Sequence, residues 1–168
     1  NWSEDGLIAH PRMVSFFNGD LVVSTNFHAH AITLNSDYEV IEVFTFDDDV
    51  DGSHLADEAP NGLQYYTHDG YVKTFDPNTG IYSVWASTKD FGWPDITGLK
   101  VTDCGLLLSI SDSNQVWRCS EYNDPESCEI ACEQDTDNID SHTCVEIWNP
   151  AGLTADCNCT MYVSQEGG

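Results

Sequence analysis

The chain has 168 residues, 40% hydrophobic and 11% aromatic, enough to bury a core in one domain and too aromatic for a disordered segment. Its 29 acidic residues against 5 Lys and Arg give a formal charge of −24, which excludes nucleic acid and anionic membrane as partners by repulsion and favours cations. No apolar stretch approaches the ~20 residues needed to cross a bilayer, so membrane insertion is excluded too.

The chain opens Asn1-Trp2-Ser3 with no initiator Met or signal peptide, which is expected of a processed or partial product. A polar lead follows, with Leu7-Ile8-Ala9 able to lend a strand to a neighbour. From Pro11 to Phe46 come four apolar runs: Met13 to Phe17, Leu21 to Thr25, Ala29 to Leu34 and Val40 to Phe46. They are broken by Asn18-Gly19-Asp20, Asn26-Phe27-His28 and Asn35-Ser36-Asp37, residues that tolerate positive φ or bond their own backbone. This spacing predicts a four-stranded antiparallel meander.

Asp47 to Asn61 reads as an acidic loop where a second unit should have its first strand. That second unit then runs to Ser87, with turns at His68-Asp69-Gly70 and Asp76-Pro77-Asn78-Thr79-Gly80. Lys89 to Thr97 links it to a third unit from Gly98 to about Ser120. The three overlay through Leu21, Leu63 and Leu106, about 42 residues apart, the period of a propeller blade whose faces are covered only by its neighbours. The fold class expected is all-β: antiparallel four-stranded blades of a partial β-propeller over 1–120 (blades near 6–46, 59–88 and 98–120), then a disulfide-rich segment over 121–168.

The runs PRMVSFFNGDLVVSTNFHAHAITLNSDYEVIEVF and GLKVTDCGLLLSISDSNQVWRCS resemble NHL-type propeller blades, in which an apolar strand, an Asn-Gly or Asp-Gly turn, a second strand, a polar turn and a third strand recur. The resemblance covers roughly Gly6 to Ser120 and implies architecture rather than an activity. About three copies are present, whereas closed propellers have at least ~4 blades. The ring is therefore expected to be completed by further chain or another subunit.

The seven cysteines are Cys104, Cys119, Cys128, Cys132, Cys144, Cys157 and Cys159. Their irregular spacing does not suit a zinc ribbon, and all are assigned to disulfides of unstated connectivity. Cys157-Asn158-Cys159 resembles the paired cysteines of an EGF-like module. Two sequons, at Asn1 and Asn158, agree with a secretory route and attached glycans, so the expected location is secreted or extracellular.

Asp47-Asp48-Asp49-Val50-Asp51-Gly52-Ser53-His54-Leu55-Ala56-Asp57-Glu58 fits D-x-D-x-D-G-x5-E. Calcium takes six to eight hard oxygens; Asp47, Asp49 and Asp51 would surround the ion, Ser53 would offer its carbonyl and Glu58 would close the shell. A solvated acidic loop is the alternative. His28-Ala29-His30 puts two imidazoles on one side of an extended segment, as zinc or copper would use, with a third ligand from His10, His54 or His68; plain turn histidines are the competing reading. No nucleophile motif is present, and Tyr65, Tyr66, Trp85, Trp93, Trp117 and Trp148 fit packing between blades better than a sugar-stacking face.

The main expectation is a non-catalytic extracellular structural or adhesive module that binds itself or other extracellular chains, conceivably within a filament. The alternative is a calcium- or zinc-dependent propeller hydrolase, lactonase or lyase.

Overall fold

The computed structural model describes residues 11–17, 20–25, 30–45, 55–68, 70–94, 96–133 and 150–165. The first sheet is a meander of β1 (Pro11–Phe17), β2 (Asp20–Thr25), β3 (His30–Leu34) and β4 (Val40–Thr45), paired in chain order. The second repeats the pattern with β5 (Leu55–Glu58), β6 (Gln64–His68), β7 (Tyr71–Asp76) and β8 (Ile81–Ser87). The third holds β9 (Ile96–Thr102), β10 (Gly105–Ile110), β11 (Gln115–Cys119) and β12 (Cys128–Glu133). A hairpin of β13 (Pro150–Ala155) and β14 (Met161–Gln165) completes the described residues. All pairings are antiparallel, and β1, β5, β9 and β13, the first strand of each unit, lie side by side in succession. These are the blades of a β-propeller with β13 and β14 as the inner strands of a fourth.

Two boundaries differ from expectation. Leu55–Glu58 is a strand, paired at Leu55 with Tyr66 and at Glu58 with Gln64, where the sequence reads as loop. Four residues with two carboxylates form it because β6 supplies the ladder, and Ala59 just beyond it is buried. The third blade also continues past 120 and takes its fourth strand, Cys-Glu-Ile-Ala-Cys-Glu, from the cysteine-rich segment. The rest of that segment packs Leu153, Met161 and Val163 of the hairpin on Val116 and Cys132. Cys104 bonds Cys159 and Cys119 bonds Cys128, so both bridges tie the segment back to the third blade. Cys132 is also disulfide-bonded, and Cys144 lies outside the described residues. The assignment of Cys157 to a disulfide is corrected: it is a free, exposed thiol in the β13–β14 turn, facing water while its neighbour Cys159 is held by Cys104.

The core sits between blades. Leu106, Leu108 and Ile110 of β10 meet Tyr65, Val72 and Ala86 of the second blade, and Trp93 seals the link, stacked on Phe91 and edge-on to Trp117. Tyr65, Tyr66 and Trp93 are fully buried, so these aromatics are packing residues. All six residues of β10 are buried because it has a blade on one side and β13 on the other. By contrast β8 closes the outer rim of its sheet and leaves Ile81 and Val84 exposed.

One turn design recurs. Asn35, Asp76 and Asp156 each accept backbone N–H groups from residues further along the turn, and the chain re-enters the strand through a positive φ at Tyr38, Gly80 and Cys159. The strong turn read at Asp76 to Gly80 is present, with Thr79 Oγ1 donating to Asp76 at 2.8 Å.

The second and third blades are also latched by polar contacts. The Tyr122 carbonyl accepts from the Tyr65 hydroxyl and from Trp85 Nε1 (2.8 Å), Asn61 Nδ2 donates to Tyr65 (3.0 Å), and the Tyr122 hydroxyl donates to the Thr102 carbonyl. Burial raises the pKa of Tyr65 against the pull of Asn61, and raises that of Tyr122 with the charge of Tyr65 adding to it. A raised folded pKa favours the neutral hydroxyl. Its stabilisation is complete below the unfolded value near pH 10 and is lost as pH climbs through the folded one. The melting temperature should therefore fall steeply above about pH 10. Tyr65→Phe should lower stability by about 1–2 kcal/mol at neutral pH and flatten the alkaline fall; melts across pH 8 to 11.5 check this, and an unchanged slope in the variant would count against the latch.

Candidate functional site

A meander of four strands returns the chain to the end where it began, so every inner strand starts, and every outer strand finishes, at the same end of the arc. This is the upper end. The register sets its rows: Pro11 pairs Thr25 and His30 pairs Thr45 in the first sheet, His68 pairs Tyr71 and Tyr71 pairs Ser87 in the second, and Ile96 pairs Ile110 and Ile110 pairs Gln115 in the third. The connections between sheets, and those between second and third strands, belong to this end. The remaining turns belong to the lower end.

Two of the six histidines lie in described strands. His30 is the first residue of β3 and His68 the last of β6, both at the upper end. The chain enters β1 directly from His10 and β5 directly from His54, while His28 falls between β2 and β3 and His142 between β12 and β13. His10, His28, His54 and His142 lie outside the described residues.

Asp47, Asp49, Asp51 and Ser53 lie outside the described residues, and Glu58 is exposed in β5. Among the described residues, no three His, Cys, Asp or Glu stand close enough to hold a metal ion.

The lower end has a different character. Its tyrosine latch is committed to contacts between blades, with both hydroxyls donating to backbone carbonyls. Asn158, in its sequon, sits exposed in the turn held by Asp156, whose pKa is lowered chiefly by the Thr160 N–H.

No protein-family model matches the chain, and no curated protein matches it in sequence. Solved structures do match it in fold. Virginiamycin B lyase from Staphylococcus aureus superposes with a TM-score of 0.61 at 12% identity, over 92% of this chain and 48% of that one. Glutaminyl cyclase from Myxococcus xanthus gives 0.58 at 12% identity, over 95% and 62%. The extracellular domain of the putative one-component system BT4673 from B. thetaiotaomicron gives 0.59 at 14%, over 94% and 20%. The chain thus spans about half the length of the lyase.

These likenesses correct the expectation of a non-catalytic adhesive or filament module. That reading rested on an incomplete blade count, an odd cysteine, two glycosylation sequons and the lack of a catalytic set. The chain aligns with 48% of the lyase, the Cys157 thiol is exposed in a turn, and two of the three propellers named are enzymes, a lyase and a cyclase.

Proposed function

We propose that the chain forms part of a propeller enzyme of the lyase, lactonase or hydrolase kind, holding its substrate over the upper end. One observation carries the reading: the inner strands β1, β5, β9 and β13 lie side by side, as blades of a propeller do, and His30, which opens β3, and His68, which closes β6, stand at the same end of neighbouring blades. Histidine is the side chain best matched to proton transfer near neutral pH. The lyase and cyclase neighbours support the class of chemistry, and the NHL-like run of strands and turns from Pro11 to Phe46 supports the repeat type.

The test is turnover by the purified protein on cyclic and linear esters, lactones and peptides, read by mass spectrometry, with His30→Ala and His68→Ala beside it. Turnover that falls about 100-fold or more in either variant supports the reading. Turnover unaffected by both, or none across the panel in the protein with its ring completed, overturns it.

The disulfides Cys104–Cys159 and Cys119–Cys128 favour an oxidising, extracellular setting, in which Asn1 and Asn158 would carry glycans. We also propose calcium held by Asp47, Asp49, Asp51, Ser53 and Glu58. Calcium at a hundredfold excess over Kd should then stabilise the fold by about 2.7 kcal/mol, and a chelator should reverse it. Melting curves indifferent to both calcium and chelator would remove the ion from the account.

A further inference from the structure

We propose that Cys157 drives a disulfide switch: its thiol exchanges with the Cys104–Cys159 bridge, leaving a Cys157–Cys159 bridge in its place and releasing the fourth unit from the third. The inference stands apart from the enzymatic reading and does not rest on it.

Three observations carry it. First, the free thiol and the half-cystine lie two residues apart in one turn, closed by the Cys159 N–H donating to the Asp156 carbonyl at 3.0 Å. Two residues of extended chain span about 7 Å at most, and a turn brings their Cα atoms within the roughly 4.4–6.8 Å that a disulfide bridges. Second, attacker and target are both open to water: Cys157 and Cys159 are exposed, as is Asn158 between them. A thiolate must reach a disulfide sulfur to exchange with it, so access decides which bridge takes part. The Cys119–Cys128 bridge is the contrast, because Cys119 is fully buried. Third, the leaving sulfur has a place to go. Cys104 is half-buried in the β9–β10 turn with its Sγ 3.9 Å from the Asp156 carbonyl oxygen, an acceptor for the thiol once the bridge has opened.

The step balances without an oxidant or a reductant. The Cys157 thiolate attacks Cys159 Sγ; the Cys157–Cys159 bond forms as the Cys159–Cys104 bond breaks, and Cys104 leaves as a thiolate that takes up the proton Cys157 gave up. What changes is the reach of the cross-link. The native bridge joins positions 55 apart, across two units, whereas its replacement closes a ring within a single turn and ties nothing to β9 or β10. The hairpin then keeps the packing of Leu153, Met161 and Val163 on Val116 and Cys132, and the bond from the Thr97 hydroxyl to the Pro150 carbonyl, but loses this covalent tie at the lower end. Exchange therefore turns a clamped seam into one that opens, and any reagent that caps the Cys104 thiol holds it open.

The experiment warms the intact, oxidised chain in steps below its melting transition, pulses it with N-ethylmaleimide at each step and maps the peptides by mass spectrometry without reduction. At the lowest temperature the label should sit on Cys157. On warming it should move to Cys104, with Cys157 and Cys159 bridged within one peptide, Cys119–Cys128 intact, and the β13–β14 hairpin cut sooner by a protease. Cys157→Ser should slow the labelling of Cys104 at least about tenfold, because the attacking thiol is gone. If that variant fails to fold, blocking Cys157 of the native chain with maleimide in the cold, before warming, serves the same purpose. Cys104 that stays unlabelled up to the melting transition, or that is labelled as fast with Cys157 replaced or blocked, overturns the proposal.

Discussion

Replacing Gly105 with alanine should cost about 3–5 kcal/mol, the range reserved for buried steric failures. Gly105 opens β10 with φ +116°, and a Cβ built there would lie 2.1 Å from the Cys119 carbonyl oxygen and 3.0 Å from its carbon. Neither atom can yield cheaply: Cys119 is fully buried, is in register with Leu106, and is bonded to Cys128. Relief would mean prying β11 from β10 at the centre of the third blade. For a chain of this size the melting temperature should fall by roughly 10–15 °C. Gly62→Ala is the control, because Gly62 also has a positive φ (+78°) but nothing lies within 4 Å of its Cβ position. That variant bears backbone strain alone, on the order of 1 kcal/mol. If the two variants melt alike, the close approach at Cys119 is not what requires glycine.

Removing the Cys104–Cys159 bridge should be nearly as damaging. The half-cystines are 55 residues apart, and closing a loop of that length restricts the unfolded chain by about 4 kcal/mol in the entropic account. The bridge joins the β9–β10 turn to the β13–β14 turn, so it holds the fourth unit to the third at the lower end. The Cys119–Cys128 bridge spans only 9 residues and should contribute about 2.6 kcal/mol by the same relation. Denaturant melts of Cys104→Ser/Cys159→Ser and of Cys119→Ser/Cys128→Ser should rank in that order. In the first double variant, limited proteolysis should cut near the β13–β14 hairpin before the blades. Reversal of the order would show that native-state effects outweigh loop entropy.

The blade architecture was legible because a leucine recurs at each blade's second strand: Leu21 in β2, Leu63 just before β6 and Leu106 in β10 occupy matching places. Short polar strands escaped. β5 offers one leucine and two acids in four residues, and β12 reads Cys-Glu-Ile-Ala-Cys-Glu; both are strands because their partners provide the ladder. β13 and β14 were hidden by the cysteines beside them, which drew attention to an independent stapled module when the hairpin instead packs Leu153 and Val163 on the third blade. At the candidate site, spacing could show only His28 beside His30; that His30 and His68 stand at one end of neighbouring blades follows from the parity of a four-stranded meander, which no local window contains.

The double burial of β10 bears on how the molecule breathes. A strand flanked by β9 and β11, with side chains covered on both faces, exposes its amides to solvent only when a blade or the hairpin leaves with it. Deuterium should therefore reach Leu106 to Ile110 last, at a rate set by large-scale opening, while β8, with Ile81 and Val84 bare on the rim, should exchange by fraying within its own blade. The third blade becomes the slow clock of the arc, and the first opening that β10 registers marks the moment at which neighbouring blades have let go of each other.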